Sequence, residues 1–151
     1  MSNTQAMCTS FKGQLLTATH NFGTAPTRGT TAADTFKAAL YLASATLNAS
    51  TTAYSATGEV SGTGYTAGGI TVTNGTAPTT SGTTAYWTPS ASLVYTTVTL
   101  TTAFDTVLIY NSTQSNAAVG VFTFGSQTVT AGTFTLTMPS NAAGTALLNL
   151  A

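Results

Sequence analysis

The spacing of hydrophobic and polar positions changes character near residue 34. Before it, Met7, Cys8, Phe11, Leu15 and Ala18 recur at steps of three and four, an apolar stripe that predicts one helix over residues 4–19. Ser2 or Asn3 is placed to cap it, and Gly23 with Pro26 closes it off. Residues 23–33 carry Pro, Gly and four threonines and read as a loop. Beyond that loop the pattern is one of short strands between turn residues. Residues 35–42 alternate, with Phe36, Ala38, Leu40 and Leu42 on one face and Lys37 and Tyr41 on the other. Residues 57–61 and 69–74 flank a glycine-rich stretch, and residues 84–88 hold the only Trp before Pro89 ends them. Residues 93–100 alternate again. Residues 106–111 include the continuous apolar run Val107, Leu108, Ile109 and Tyr110, which predicts a central strand buried on both faces. Residues 117–124 and 133–138 are expected to pair as a hairpin across 125–132, and residues 147–150 form a last edge strand.

This spacing predicts a mainly β fold, an antiparallel β-sandwich or jelly roll of about eight or nine strands with one N-terminal helix. Residues 1–22 are the helical segment and 34–151 the β-sandwich of a single domain; no fixed-period repeat and no linker divides them. Threonine, at 37 of 151 residues, raises the question of disorder. Fourteen aromatics (one Trp, six Tyr, seven Phe) and abundant β-branched residues answer it in favour of folding.

Charge changes the picture most. Lys12, Arg28, Lys37, Asp34, Glu59 and Asp105 are the whole ionised set, and from Val60 onward only Asp105 is charged. Soluble domains carry about 25% charged residues; this chain carries 4%, with a formal net charge of zero. Charge of one sign keeps copies apart, so a surface of threonine, serine and asparagine points to a subunit of an assembly. Cys8 is the only cysteine, which excludes an intrachain disulfide and leaves a helical core residue or an intermolecular bridge. The first residues lack a basic cluster followed by an apolar core, and no apolar run approaches the roughly 20 residues that cross a bilayer. Synthesis in the cytoplasm without a membrane partner is the expectation.

Candidate chemistry is sparse. His20 is the only histidine; with Asp34 or Asp105 and any of dozens of hydroxyls it forms no informative triad, and it reads as a surface or loop residue. Cys8 and His20 supply two soft ligands where zinc takes three or four, so no metal or other cofactor is expected. Asp34, Glu59 and Asp105 are spread along the chain and read as turn caps or partners of Lys37 and Arg28. The stretch 62–69 (GTGYTAGG) resembles a phosphate loop but lacks the G-K-[ST] ending, and a strand follows it, so it reads as a flexible turn or contact arm. Three basic residues cannot carry nucleic-acid binding. No catalytic residue is assigned. Trp87, Tyr86 and Tyr95 are the candidates for an aromatic platform for sugar stacking, although Trp87 fits a core position equally well.

Several segments taken together resemble a family of small virion proteins of tailed bacteriophages: residues 7–12 (MCTSFK), 34–41 (DTFKAALY), 59–69 (EVSGTGYTAGG), 108–111 (LIYN), 124–132 (FGSQTVTAG) and 134–139 (FTLTMP). The resemblance spans most of the chain. Members close on an apolar–Arg–apolar–Ala ending, where this chain has Asn149 in place of the Arg. The resemblance implies a structural particle component, released by lysis and located in the virion. The leading expectation is a capsid decoration or cement protein, trimeric, with itself and the major capsid protein as partners. A tail, collar or fibre component is the second reading, and a carbohydrate-binding module the third. Assembly contacts are expected at Met7, Phe11, Leu15, Tyr65 and Leu150, and the N-terminal helix must pack either on its own sandwich or, the favoured reading, as a clamp on a neighbouring subunit.

Overall fold

The computed structural model describes residues 2–16, 18–23 and 33–151. Arg28, Pro26 and most of the expected 23–33 loop lie outside the described residues. In chain order the elements are β1 (Ala6–Met7), α1 (Thr9–Leu16), β2 (Phe36–Leu42), β3 (Ile70–Thr71) and β4 (Thr79–Ser81), then β5 (Thr84–Trp87), β6 (Leu93–Asn111), β7 (Ala117–Leu136) and β8 (Leu148–Leu150). They form a five-stranded antiparallel sheet, ordered β1-β7-β6-β2-β3, and a three-stranded one, ordered β4-β5-β8. The fold is the expected mainly β sandwich with an N-terminal helix.

The second layer has an unexpected source. β6 and β7 pair along nearly their whole length, from Leu93↔Leu136 to Asn111↔Ala117. The register shifts repeatedly between Tyr95 and Thr106, and Thr97 and Ala131 adopt left-handed φ of 53° and 45°. Such bulges bend a ribbon, and this one curls until its two halves face each other. Leu93 and Leu136 line a crevice with Val107, Ile109 and Phe122 from the far half. Tyr95 Oη donates to Ala38 O across the layers (2.8 Å), and Phe134 lies edge-on to Phe104 with ring centroids 5.0 Å apart. The core fills the space between, with Leu40, Leu100, Leu108 and Val121 almost fully buried.

This curl corrects two expectations. Residues 93–100 and 106–111 are one strand, not two. Residues 117–124 and 133–138 do not form a hairpin; both belong to the β7 region and pair with β6. They meet only across layers, with Phe124 and Phe134 centroids 5.4 Å apart. The alternating pattern was right for each half, but alternation does not distinguish a partner in the same sheet from one in the facing layer. The apolar run Val107–Tyr110 is buried within β6, between β2 and β7, as expected of a central strand.

The helix is shorter than expected. Residues 6–7 extend instead and pair with β7 (Ala6↔Val121, Met7↔Gly120), which gives their backbone partners that a helical first turn would leave unmade. Asn3 is not a cap: its Nδ2 donates to Leu42 O and Asp105 Oδ1, and its Oδ1 accepts from Leu47 N. β2 is buried on both sides, so Tyr41, assigned to its polar face, is in the core. Of residues 57–61 only Glu59 bridges, to Tyr41; residues 69–74 reduce to β3; and β4 was not predicted.

Candidate functional site

Three of the five expected interface residues meet in one place. Phe11 and Leu15 from α1, Leu148 and Leu150 from β8, and Phe22 and Trp87 line an apolar groove of about 120 Å³ between helix and small sheet. Phe22 stacks on Phe36 (4.4 Å, 10°) and leans on Trp87 (4.7 Å). Leu150 is 42% exposed and forms the rim. Phe11 is 1% exposed and Cys8 0%: both are committed to this chain's own core. The expected clamp on a neighbour is therefore corrected, because α1 docks on its own domain. Met7 lines a separate crevice with Phe122 and Leu148, and Tyr65 is in a third location. The sugar platform is corrected too. Trp87 and Tyr95 are each 2% exposed, and Trp87 Nε1 donates to Thr76 O (2.8 Å).

Tyr65 belongs to a cage built around Glu59. Tyr54 Oη donates to Glu59 Oε2 (2.6 Å), while Tyr65 Oη and the Gly68 amide both donate to Oε1 (2.7 Å each). Tyr110 stacks on Tyr54 (4.8 Å) and donates to Gly68 O; Tyr95 stacks on Tyr65 (6.1 Å). Tyr41 Oη donates to Ser55 O and Leu40 N donates to Tyr65 Oη, tying the long β2–β3 connection to the sheet. Burial, then the Glu59 carboxylate, pushes the phenol pKa values of Tyr54, Tyr65, Tyr95 and Tyr110 up. Burial pushes Tyr41 up to about 12.

The glycine-rich stretch is thus not a contact arm. A Cβ on Gly69 would overlap Ala38 O, and one on Gly62 would overlap Thr99 O, so the loop lies flat on β2 and β6 only because those side chains are missing. Its likeness to a phosphate loop has a physical basis, since the Gly68 amide does hold an anion: the chain's own Glu59.

A second network joins the N-terminal segment to the end of β6. Asp34, buried, accepts from the Asn21 amide (2.8 Å), Asn111 Nδ2 (2.7 Å) and Gln114 Nε2 (3.3 Å). Asn111 Nδ2 also faces His20 Nδ1 (3.0 Å), and His20 Nε2 faces Gln14 Oε1 (2.9 Å). His20 lies in a loop, as one half of its reading expected, but is half-buried against Phe11 (4.8 Å) rather than on the surface, and burial lowers its pKa while Asp34 raises it less. Asp105 accepts from Asn3 and Thr106, so the three carboxylates sit in three separate networks. Among the described residues no three of His, Cys, Asp and Glu cluster as metal ligands, and no helix is long and apolar enough to cross a membrane. Asn149 donates to Ala146 O and accepts from the Gly144 amide, closing the turn before β8. Comparison with protein-family profiles, curated proteins and solved structures finds no match.

Proposed function

We propose that this chain is a non-enzymatic structural subunit of a tailed-bacteriophage particle, a capsid decoration protein that self-associates as a trimer and adds contacts across the major capsid lattice. The observation that carries this reading is the near-absence of free charge on a threonine-rich surface. Of the six ionised side chains, Asp34 is buried, Glu59 is caged by tyrosines and Asp105 is held by Asn3 and Thr106. The formal net charge is zero and the three basic side chains are few, so little net repulsion opposes close approach of copies. The edge strands of the small sheet, β4, exposed along its length, and β8, carry no lysine to block pairing, and Leu150 at the end of β8 is exposed.

Copy number in purified particles tests the assignment. Hundreds of copies per virion place the protein on the head, a few to a dozen move it to the tail or collar, and its absence from particles overturns the reading. Light scattering of the purified protein tests self-association: a clean 15.2 kDa monomer at micromolar concentration counts against the trimer. Association should depend little on salt, because few charges exist to be screened.

A further inference from the structure

We propose that His20 is a proton-controlled latch, fastening residues 18–20 and the Gln14 end of α1 to the end of β6 only while its Nδ1 carries no proton. The hydrogen-bond polarity around Asn111 sets this condition. Asn111 Oδ1 accepts from the backbone amides of Thr113 (3.1 Å) and Gln114 (3.2 Å), and its Nδ2 donates to Asp34 Oδ2 (2.7 Å). Those three partners leave one orientation for the amide, with an N–H aimed at His20 Nδ1 (3.0 Å). Nδ1 must therefore accept, and Nε2 carries the hydrogen that Gln14 Oε1 receives (2.9 Å).

A proton on Nδ1 would set donor against donor. Asn111 cannot turn to relieve this, because rotation breaks both amide bonds and points Oδ1 at the Asp34 carboxylate. Asp34 keeps its Asn111, Asn21 and Gln114 donors without His20, so the imidazole is the member free to leave. It leaves from a stack that includes Phe11 of α1 (4.8 Å) and Phe36 of β2 (6.3 Å), loosening residues 18–20 and the Gln14 end of α1, while Asn21 stays paired with Asp34 (2.8 and 3.1 Å) and Gly23 with Asn74 (2.9 Å). The groups facing His20 are Gln14 and Phe11 from α1, Phe22 two residues on, Asp34 just before β2, Phe36 at the start of β2, and Asn111 at the end of β6. Among the described residues Asp34 is the charged group acting on it, and its attraction for a cation is outweighed by burial.

The sign follows from linkage. The folded pKa is depressed below 6.5, so the latch is closed above that value and opens as pH falls through it. A histidine that titrates at about 6.5 when released and stays neutral when docked raises the opening constant by at most about thirtyfold at pH 5. Hydrogen exchange on the intact protein reads this directly. Protection of the Ala18, Thr19 and His20 amides, corrected for intrinsic rates and compared with β6 core amides, should fall by about three- to thirtyfold between pH 7.5 and pH 5. In His20→Asn, whose Oδ1 can accept from Asn111 without titrating, the ratio should stay flat. A flat ratio in the wild-type protein, or an equal fall in the variant, overturns the proposal. Should the variant fail to fold, nitrogen NMR of the wild-type imidazole decides. A neutral ring with hydrogen on Nε2 and a titration midpoint below 6.5 supports the latch, and hydrogen on Nδ1 or a midpoint at or above 6.5 refutes it.

Discussion

Removing the Glu59 carboxylate is the sharpest test of what orders the long connection between β2 and β3. Glu59→Ala deletes the acceptor of three hydrogen bonds, from Tyr54, Tyr65 and the Gly68 amide. A hydrogen bond to a charged group contributes about 1.5–3 kcal/mol. Glu59 is only half-buried, so water screens and partly replaces these bonds. The sum is therefore discounted to a loss of about 3 kcal/mol, a large part of a total stability of about 5–15 kcal/mol. Glu59→Gln keeps an acceptor oxygen and should lose about half as much, roughly 1–2 kcal/mol. Urea unfolding followed by fluorescence of Trp87, the only tryptophan and a buried one, gives the midpoint and slope for each variant. A double-mutant cycle with Tyr54→Phe and Tyr65→Phe isolates the coupling: each phenylalanine should be costly in the wild-type protein and nearly neutral beside Glu59→Ala. A Glu59→Ala variant within about 0.5 kcal/mol of wild type, the scatter of ordinary surface substitutions, would refute the cage as a structural element.

Alkaline stability should report the same cage. Tyrosines titrate near 10 when unfolded, and the folded values of Tyr41, Tyr54, Tyr65, Tyr95 and Tyr110 are raised, Tyr41 to about 12. Stability is thus fully present below about pH 10 and lost as pH rises through the folded values, with tyrosinate absorbance appearing together with unfolding rather than before it. Leu108→Asp should prevent folding, since an unpaired buried carboxylate costs several kcal/mol; a soluble, normally folded variant by circular dichroism would contradict the buried position of β6. Cys8, fully buried and with its thiol pushed up to about 11 by burial, should ignore thiol reagents until the protein unfolds, and rapid labelling of native protein would show otherwise. Deleting residues 1–22 should yield an insoluble or molten chain, because Cys8 and Phe11 belong to the core; a folded truncation would restore the clamp.

Much of the fold was legible from local pattern. β-Branched and aromatic residues at alternating positions, punctuated by glycine and proline, determined the β class, and the unbroken run Val107–Tyr110 determined a central strand. The zero formal net charge and the scarcity of ionised side chains were equally plain from the composition. These features are local or summed over the chain, so they need no knowledge of partners.

What only the tertiary structure decided depends on which distant segments meet. The curl of the β6–β7 ribbon turned two expected hairpin strands into facing layers, because bulges at Thr97 and Ala131 bend the ribbon and no spacing rule locates them. The free edge of β7 drew Ala6 and Met7 out of a helix whose side-chain stripe fitted either conformation. Glu59 and the five tyrosines around it are scattered from Tyr41 to Tyr110, and their convergence is a product of long-range closure. His20 looked like a lone loop histidine until the fold placed Asn111, 91 residues away, against its ring. A side chain's chemistry is written in its own residue, but its charge state, tautomer and exposure are set by neighbours that the sequence does not place beside it.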